Sequence, residues 1–316
     1  MIIIRNINEI IGQEPAINLL RSALQKKRLA QCYLFSGPEG VGKETTAKAL
    51  LYHLFCQISS ISPCGTCLAC KKLTKGIHPD VMIITPEKRD IRIDSVREGE
   101  KFLRYPPLEG QYRVIIILHA DRLNPEAGNA LLKSLEEPPL FALFILTTEN
   151  QSQILPTILS RSQIVRFRTL AEKHIKEYLI KYLACDEVVA KSIAEVSLGS
   201  LGKAVEIFKG GLLEELNRFV KVTLSKREDL KLMTIEKLAK QERSYLELLL
   251  YLLGLWYWRS YLHLKIEYPY PKALPEEKFK GNPFESLSNL ALVKKALENF
   301  VNPELALYIL TKNIPH

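Results

Sequence analysis

The chain has little that would place a protein in or across a membrane. Its start, MIIIRNINEI, lacks a charged segment followed by a long apolar core, so no secretory signal is expected. The most apolar stretch, Leu248 to Trp258, is about half the length that crosses a bilayer and is flanked by Glu247 and Arg259. A buried helix is expected there, and no membrane partner. Cysteine is scarce outside one place: of six, four lie between residues 56 and 70. Without an export signal that clustering points to a metal rather than disulfides, and to a cytoplasmic location. No internal repeat and no low-complexity tract is found, which excludes a repeat array or a disordered tail.

What is present fits a globular protein of two or three domains: 316 residues, 25% charged and 47% apolar. The net charge of +9 is compatible with a nucleic-acid or acidic-protein partner, but basicity alone is weak evidence for either.

The first part alternates strands and helices. Cys32–Ser36 (CYLFS), Val81–Thr85, Val114–Leu118 and Leu143–Thr147 are apolar runs of strand length. Glu44–Cys56 and Pro125–Glu137 have helical periodicity, the second stopping at Pro138-Pro139. Such alternation predicts an α/β fold, a parallel sheet with helices on both faces. Strand-like runs end near Arg168. Residues 169–208 read as short helices with a GSLGKA turn at 199–204, and 209–316 as nearly all helix, interrupted by a Pro-rich segment at 268–283. The helix around 245–263 is apolar nearly all the way round, so it must be covered on every side. Its own neighbours can do this, and an oligomer interface is an attractive second cover.

Residues 37–45 read GPEGVGKET, a G-x-x-x-x-G-K-[ST] phosphate loop with one position changed. In that pattern glycines let backbone N–H groups crowd the phosphates. The lysine reaches the β/γ-phosphates, and the neighbouring hydroxyl holds Mg²⁺. Gly37, Gly40, Gly42 and Lys43 are in place. The hydroxyl position is Glu44, a carboxylate expected to face the triphosphate. Thr45 comes one residue late, and one helical step turns a side chain by about 100°.

Cys56, Cys64, Cys67 and Cys70 form C-x₇-C-x₂-C-x₂-C, with Pro63 and Gly65 supplying a turn. Four thiolates at about 2.3 Å complete a closed tetrahedral Zn²⁺ shell, which predicts a structural site with no position open to water. His78 is a distant stand-in ligand at best.

The strand RVIIIL (113–118) ends where an ATPase places an acidic pair for Mg²⁺ and water. This chain has Leu118-His119-Ala120-Asp121. Asp121 is the only carboxylate read near that point, and it can equally cap the turn before the 125–137 helix. His119 suits either a ligand or base, or a plain hydrogen bond.

NALLKSLEEPP (129–139), FILTTEN (144–150) and LPTILSRSQ (155–163) resemble the AAA+ clamp-loader subunits of bacterial DNA polymerase III, and the cysteine cluster after the phosphate-loop helix is shared with them. HPDV (78–81) and IRIDSVRE (91–98) look most like the delta-prime members of that family. The likeness is strong over about 8–208 and rests on length and helical character beyond.

The resemblance implies an AAA+ P-loop domain over 1–168 with a zinc module at 56–76, a helical lid over 169–208, and a helical collar over 209–316. In its catalytic members an acidic pair would stand at Leu118 and His119, and an arginine sensor at Gly202, with Lys203 one step on. With Glu44, three catalytic positions are altered together. Lys43 leaves ATP or ADP binding open, while hydrolysis is not expected.

Arg161, in Ser160-Arg161-Ser162, occupies the position of the family's arginine finger, which reaches a neighbour's ATP and is worth about 10³–10⁵ in rate. Thr147 and Thr148 fall in the sensor-1 region without a role. The implied function is a non-hydrolysing subunit that assembles with gamma/tau and delta, and meets the sliding clamp and primer–template DNA through the complex. Two alternatives stand beside it. One is an active gamma/tau-like motor using Asp121 and Thr45. The other is a stand-alone zinc protein binding DNA through 64–76, for which Lys71, Lys72 and Lys75 are few.

Overall fold

Five short segments, four of them apolar runs and the fifth a more polar edge strand, pair into one parallel sheet. They are β1 (Cys32–Ser36), β2 (Val81–Ile84), β3 (Arg113–Ile117), β4 (Ala142–Thr148) and β5 (Gln163–Arg166), in the order β2-β3-β4-β1-β5. This computed structural model describes residues 3–312 except 88, 226, 267–272, 278, 280 and 300. The chain divides into two units, Met1–His174 and Ile175–His316.

In the first unit β3 and β4 are buried along their whole length, because each parallel strand is covered on both faces. Alternate residues serve the two faces. Cys32, Leu34, Ile115, Ile117, Phe144 and Leu146 point into a core completed by α4 (Ile93–Phe102), α5 (Pro125–Glu136) and α6 (Pro156–Ser160) through Val96, Leu131 and Ile158. Residues of opposite parity, Tyr33, Phe35, Ile116 and Ile145, are equally buried. The remaining helices are α1 (Glu14–Gln25), which contacts β5, α2 (Lys43–Phe55), which contacts β4, and the short α3 (Leu68–Lys75). α5 starts at Pro125 with Asn124 as its cap, whose side chain accepts the Ala127 N–H at 2.8 Å. Asp121 therefore does not cap this helix.

β1 lies between β4 and β5, and its register sets Ser36 beside Thr148 and Arg166. The loop leaving β1 thus emerges at the carboxyl edge of the sheet, where open α/β sheets bind ligands.

The regular elements described in the second unit are all helices, beginning with α7 (Glu172–Leu183), whose first turn still belongs to the first unit, and continuing with α8 (Glu187–Val196), α9 (Leu201–Lys209), α10 (Leu212–Leu224), α11 (Glu228–Ala239), α12 (Arg243–Ile266), α13 (Pro283–Glu298) and α14 (Pro303–Lys312). The Pro-rich 268–283 segment falls partly outside the described residues. α12 packs against α10 and α13, and Leu246, Leu249, Leu252, Leu253, Trp256 and Tyr257 are all buried. Trp256 Nε1 donates to the Glu277 carbonyl at 2.6 Å, and Phe279 packs on Trp256 and Tyr257. The apolar circumference of α12 is largely hidden inside its own unit, so it does not by itself demand an oligomer interface. No helix among the described residues is long and apolar enough to cross a membrane.

Candidate phosphate loop, cysteine cluster and arginine

The phosphate loop keeps its backbone geometry. Gly40 and Gly42 have φ of 71° and 101°, a region that glycine enters at little cost, and Gly42 forms the N-cap of α2. Lys43 begins that helix, is nearly buried, and donates from Nζ to the Gly37 and Pro38 carbonyls, both at 2.6 Å. Its ammonium is thus folded back on its own loop, and a phosphate would have to draw it off. Burial lowers the Lys43 pKa, opposed by the nearby carboxylates of Glu149, Asp121 and Glu39.

Glu44 turns to Lys48 one helical turn on, in an exposed pair, rather than standing over the loop as expected. Thr46, not Thr45, engages the loop: its hydroxyl donates to the Gly42 carbonyl at 2.8 Å.

At the end of β3, Leu118 is buried, and His119 takes a left-handed backbone with φ 54°. A non-glycine residue held there costs roughly 1–3 kcal/mol. The His119 N–H donates to the Thr147 hydroxyl at 3.0 Å, while its Nδ1 lies 3.4 Å from Glu149 Oε1. The His119 hydrogen bond, helped by Lys43 and Arg122, holds the Glu149 carboxyl below its usual range. Asp121 accepts the Glu149 N–H at 3.3 Å.

Asp121 is therefore not the only carboxylate here. Glu149 was missed because it follows β4 in sequence and reaches His119 only through the β3–β4 pairing. Thr148 is fully buried and accepts the Asn150 N–H. The crevice thus offers a lysine, a histidine and carboxylates, but no hydroxyl beside Lys43 and no acidic pair at the β3 end.

The four cysteines come together. One Sγ from each of Cys56, Cys64, Cys67 and Cys70 lies within 4.8 Å of the others, so the set could hold a metal ion. Thiolates about 2.3 Å from a central ion stand about 3.8 Å apart in a tetrahedron, which this spacing fits. Backbone N–H groups point at the sulfurs: Cys64 to Cys56 at 3.3 Å, Thr66 and Cys67 to Cys64 at 3.4 and 3.3 Å, and Cys70 to Cys67 at 3.5 Å. Those from Cys67 and Thr66 bring the Cys64 thiol down to about 6. Burial instead pushes the Cys70 thiol up, and sulfurs this close share negative charge favourably only around a cation.

His78 is not among the four. It is buried against Phe55, with Nδ1 accepting the Asp80 N–H, in a network anchored by Asp80. Asp80 accepts N–H bonds from Leu108, Glu109 and Gly110 and lies 3.8 Å from Arg113 Nε.

Arg161 ends α6, just before β5. Its guanidinium is partly exposed, paired with Glu136 Oε1 at 3.0 Å and donating to the Thr157 carbonyl at 3.2 Å. Exposed pairs of this kind contribute about 0–1 kcal/mol, so the side chain can be re-aimed at little cost. Ser160 and Ser162 donate to the Thr157 and Ile158 carbonyls. In the second unit Ser200 caps α9 by accepting the Lys203 N–H, and Lys203 lies 4.7 Å over the Tyr251 ring. The cation beside Gly202 is thus engaged within its own unit.

Residues 12–171 match the family model described as DNA polymerase III, delta subunit. The chain is 34% identical over 177 residues to the DNA polymerase III subunit delta' of Bacillus subtilis, covering 56% of this chain and 53% of that protein. It is 33% identical over 210 residues to the tau subunit of the same organism, covering 66% and 36%. It thus spans about half or less of these relatives. Its fold is similar to that of a gamma subunit-related protein of DNA polymerase III from Thermotoga maritima, with 21% identity, a TM-score of 0.50, and coverage of 93% and 97% of the two chains.

Proposed function

The chain belongs to the DNA polymerase III delta-subunit family of clamp-loader proteins, and on that premise we propose that it is a delta-prime-type, non-hydrolysing subunit of a clamp loader. The observation that carries the reading is the crevice around Lys43. The lysine is present, but Glu44 pairs with Lys48, and Leu118 and His119 replace the acidic pair. Mg²⁺ then has no hydroxyl beside Lys43 and no acidic pair at the β3 end to hold it; Asp121 and Glu149 lie nearby, bound to one another and to His119. Nucleotide can enter only by displacing Lys43 from its carbonyls, and the loop then binds without turning over.

Arg161 is the residue we assign to chemistry, in a neighbouring subunit rather than in this one. Swung away from Glu136, with Ser160 beside it, its planar guanidinium would offset charge developing on the γ-phosphoryl oxygens of a gamma/tau neighbour. Residues 169–208 act as a lid and 209–316 as the collar that holds the subunit in a ring with gamma/tau and delta. The ring carries the sliding clamp to primer–template DNA, steered in part by positive charge. Zn²⁺ is the ion we assign to the four cysteines. It supplies a closed structural centre that orders residues 56–76.

Turnover tests the reading: the isolated chain should show no ATPase above background. A turnover of about 1 s⁻¹, within the usual enzymatic range, that vanished in Lys43→Ala would establish the motor alternative instead.

A further inference from the structure

The cysteine module carries a surface that this role does not use. Between Glu44 and Asp80 the sequence has no acidic residue, while Lys48, Lys71, Lys72 and Lys75 fall inside the stretch. Lys48 pairs with Glu44 and Lys72 with Glu109, but Lys71 and Lys75 stand exposed. The geometry of α3 explains their position. At about 100° per residue, Leu68, Lys71 and Lys75 share one face, opposite the buried Ala69 and Cys70. Ile77 follows that helix closely, and Ile58 and Ile61 sit on the loop between the first two cysteines.

Ile58, Ile61, Leu68 and Ile77 are each at least 60% exposed. Single exposed aliphatics are ordinary. Four on one short segment, its loop tied to α3 through the clustered sulfurs, are more than the scattered single aliphatics of an ordinary surface.

We propose that this module is a docking surface for an acidic, amphipathic peptide segment of a partner protein. Its aliphatic or aromatic side chains lie on Ile58, Ile61, Leu68 and Ile77, and its carboxylates meet Lys71 and Lys75. Charge complementarity selects this occupant: Glu109, the acid placed here by its pairing with Lys72, leaves Lys71 and Lys75 as exposed cations that repel a basic segment and attract an acidic one. Single-stranded nucleic acid fits less well. The exposed residues of 56–77 include no aromatic side chain on which a base could stack, and two exposed lysines neutralise few phosphates.

The test is made on the full chain in isolation, so its outcome does not depend on assembly into a clamp loader. A displayed library of random peptides is panned against the protein, and a fluorescein-labelled copy of the leading sequence is titrated by anisotropy. Enriched peptides should combine Asp or Glu with Leu, Ile, Val or Phe, and their binding should weaken as salt is raised. Lys71→Glu with Lys75→Glu turns two attractions into repulsions and should weaken binding about tenfold or more. Ile58→Ser with Ile61→Ser should weaken it without changing the salt dependence. Both pairs lie at the surface and should keep the wild-type melting temperature.

Enriched peptides without acidic bias, or binding unaffected by both double substitutions, would overturn the proposal. So would a labelled oligothymidine that binds more tightly than every selected peptide and is released by the same lysine changes.

Discussion

Gly37 is the first glycine of the phosphate loop, and its place in the sheet makes a measurable claim about why it is there. β1 ends beside β5: the Phe167 N–H donates to the Ser36 carbonyl at 2.8 Å, and the Gly37 N–H donates to Thr148 at 3.2 Å. A Cβ built on Gly37 would stand 2.3 Å from the Phe167 carbonyl oxygen and 2.9 Å from Phe167 Cβ. The obstacle is backbone held in the sheet, which cannot swing away as a flexible side chain can. Overpacking typically costs about 1–3 kcal/mol, and a backbone obstacle places Gly37→Ala at the upper end, about 3 kcal/mol. At roughly 2–4 °C per kcal/mol for a domain of this size, the melting transition of the first unit should fall by about 6–12 °C. Gly42→Ala is the control. Nothing lies within 4 Å of its Cβ position, so its cost is conformational, about 1–2 kcal/mol from the positive φ. Both are read by thermal and urea denaturation without nucleotide. A Gly37→Ala protein as stable as wild type, or less affected than Gly42→Ala, would refute the packing argument. The loop glycine would then need a phosphate to explain it.

Two further outcomes follow from the same structure. Zinc should copurify at about one ion per chain, since four thiolates close one shell, and Cys67→Ser should raise hydrogen exchange across residues 56–76; freshly reduced protein without zinc would contradict this. His53 should make stability depend on pH. Its Nε2 accepts the Ile7 N–H at 3.1 Å and its Nδ1 donates to the Ser60 carbonyl at 2.7 Å, and burial lowers its pKa, as it does for His78. The unfolded chain therefore binds more protons below about pH 6.5, so stability is full above that value and declines as pH falls below it. A melting temperature unchanged or rising between about pH 6.5 and 5 would count against buried neutral imidazoles.

Much of the sheet was legible because four strands are apolar on both faces. CYLFS appears as read, and the others shift by a residue or so at their ends. β5 was not among the apolar runs, since an edge strand keeps polar residues: only Val165 of Gln163–Arg166 is fully buried. The glycines, Lys43 and the four cysteines announced themselves by spacing, which local chain geometry enforces, whereas Arg161 was singled out only by the family resemblance around Ser160-Arg161-Ser162. What could not be read were contacts set by strand order. Glu149 meets His119 because β3 pairs with β4. Glu136 meets Arg161 because α5 packs beside α6. The expectation that Asp121 stood alone and that Glu44 faced the loop failed for this reason: side-chain direction at a strand or helix end depends on partners distant in sequence. The apolar α12 was found, but its cover came from α10 and α13.

The central claim is that this chain contributes an arginine to another subunit's ATP rather than turning over its own. The direct measurement is clamp loading by complexes reconstituted with gamma/tau, delta and either wild-type or Arg161→Ala protein, at matched assembly. Loss of an exposed pair worth about 0–1 kcal/mol should leave the substituted subunit folded and able to enter the complex. Total DNA-dependent ATPase should fall in part, since one site loses its cation, and clamp loading should fall much further, with Arg161→Lys rescuing poorly. Equal loading rates for wild-type and Arg161→Ala complexes would contradict the account and leave Arg161 a structural partner of Glu136.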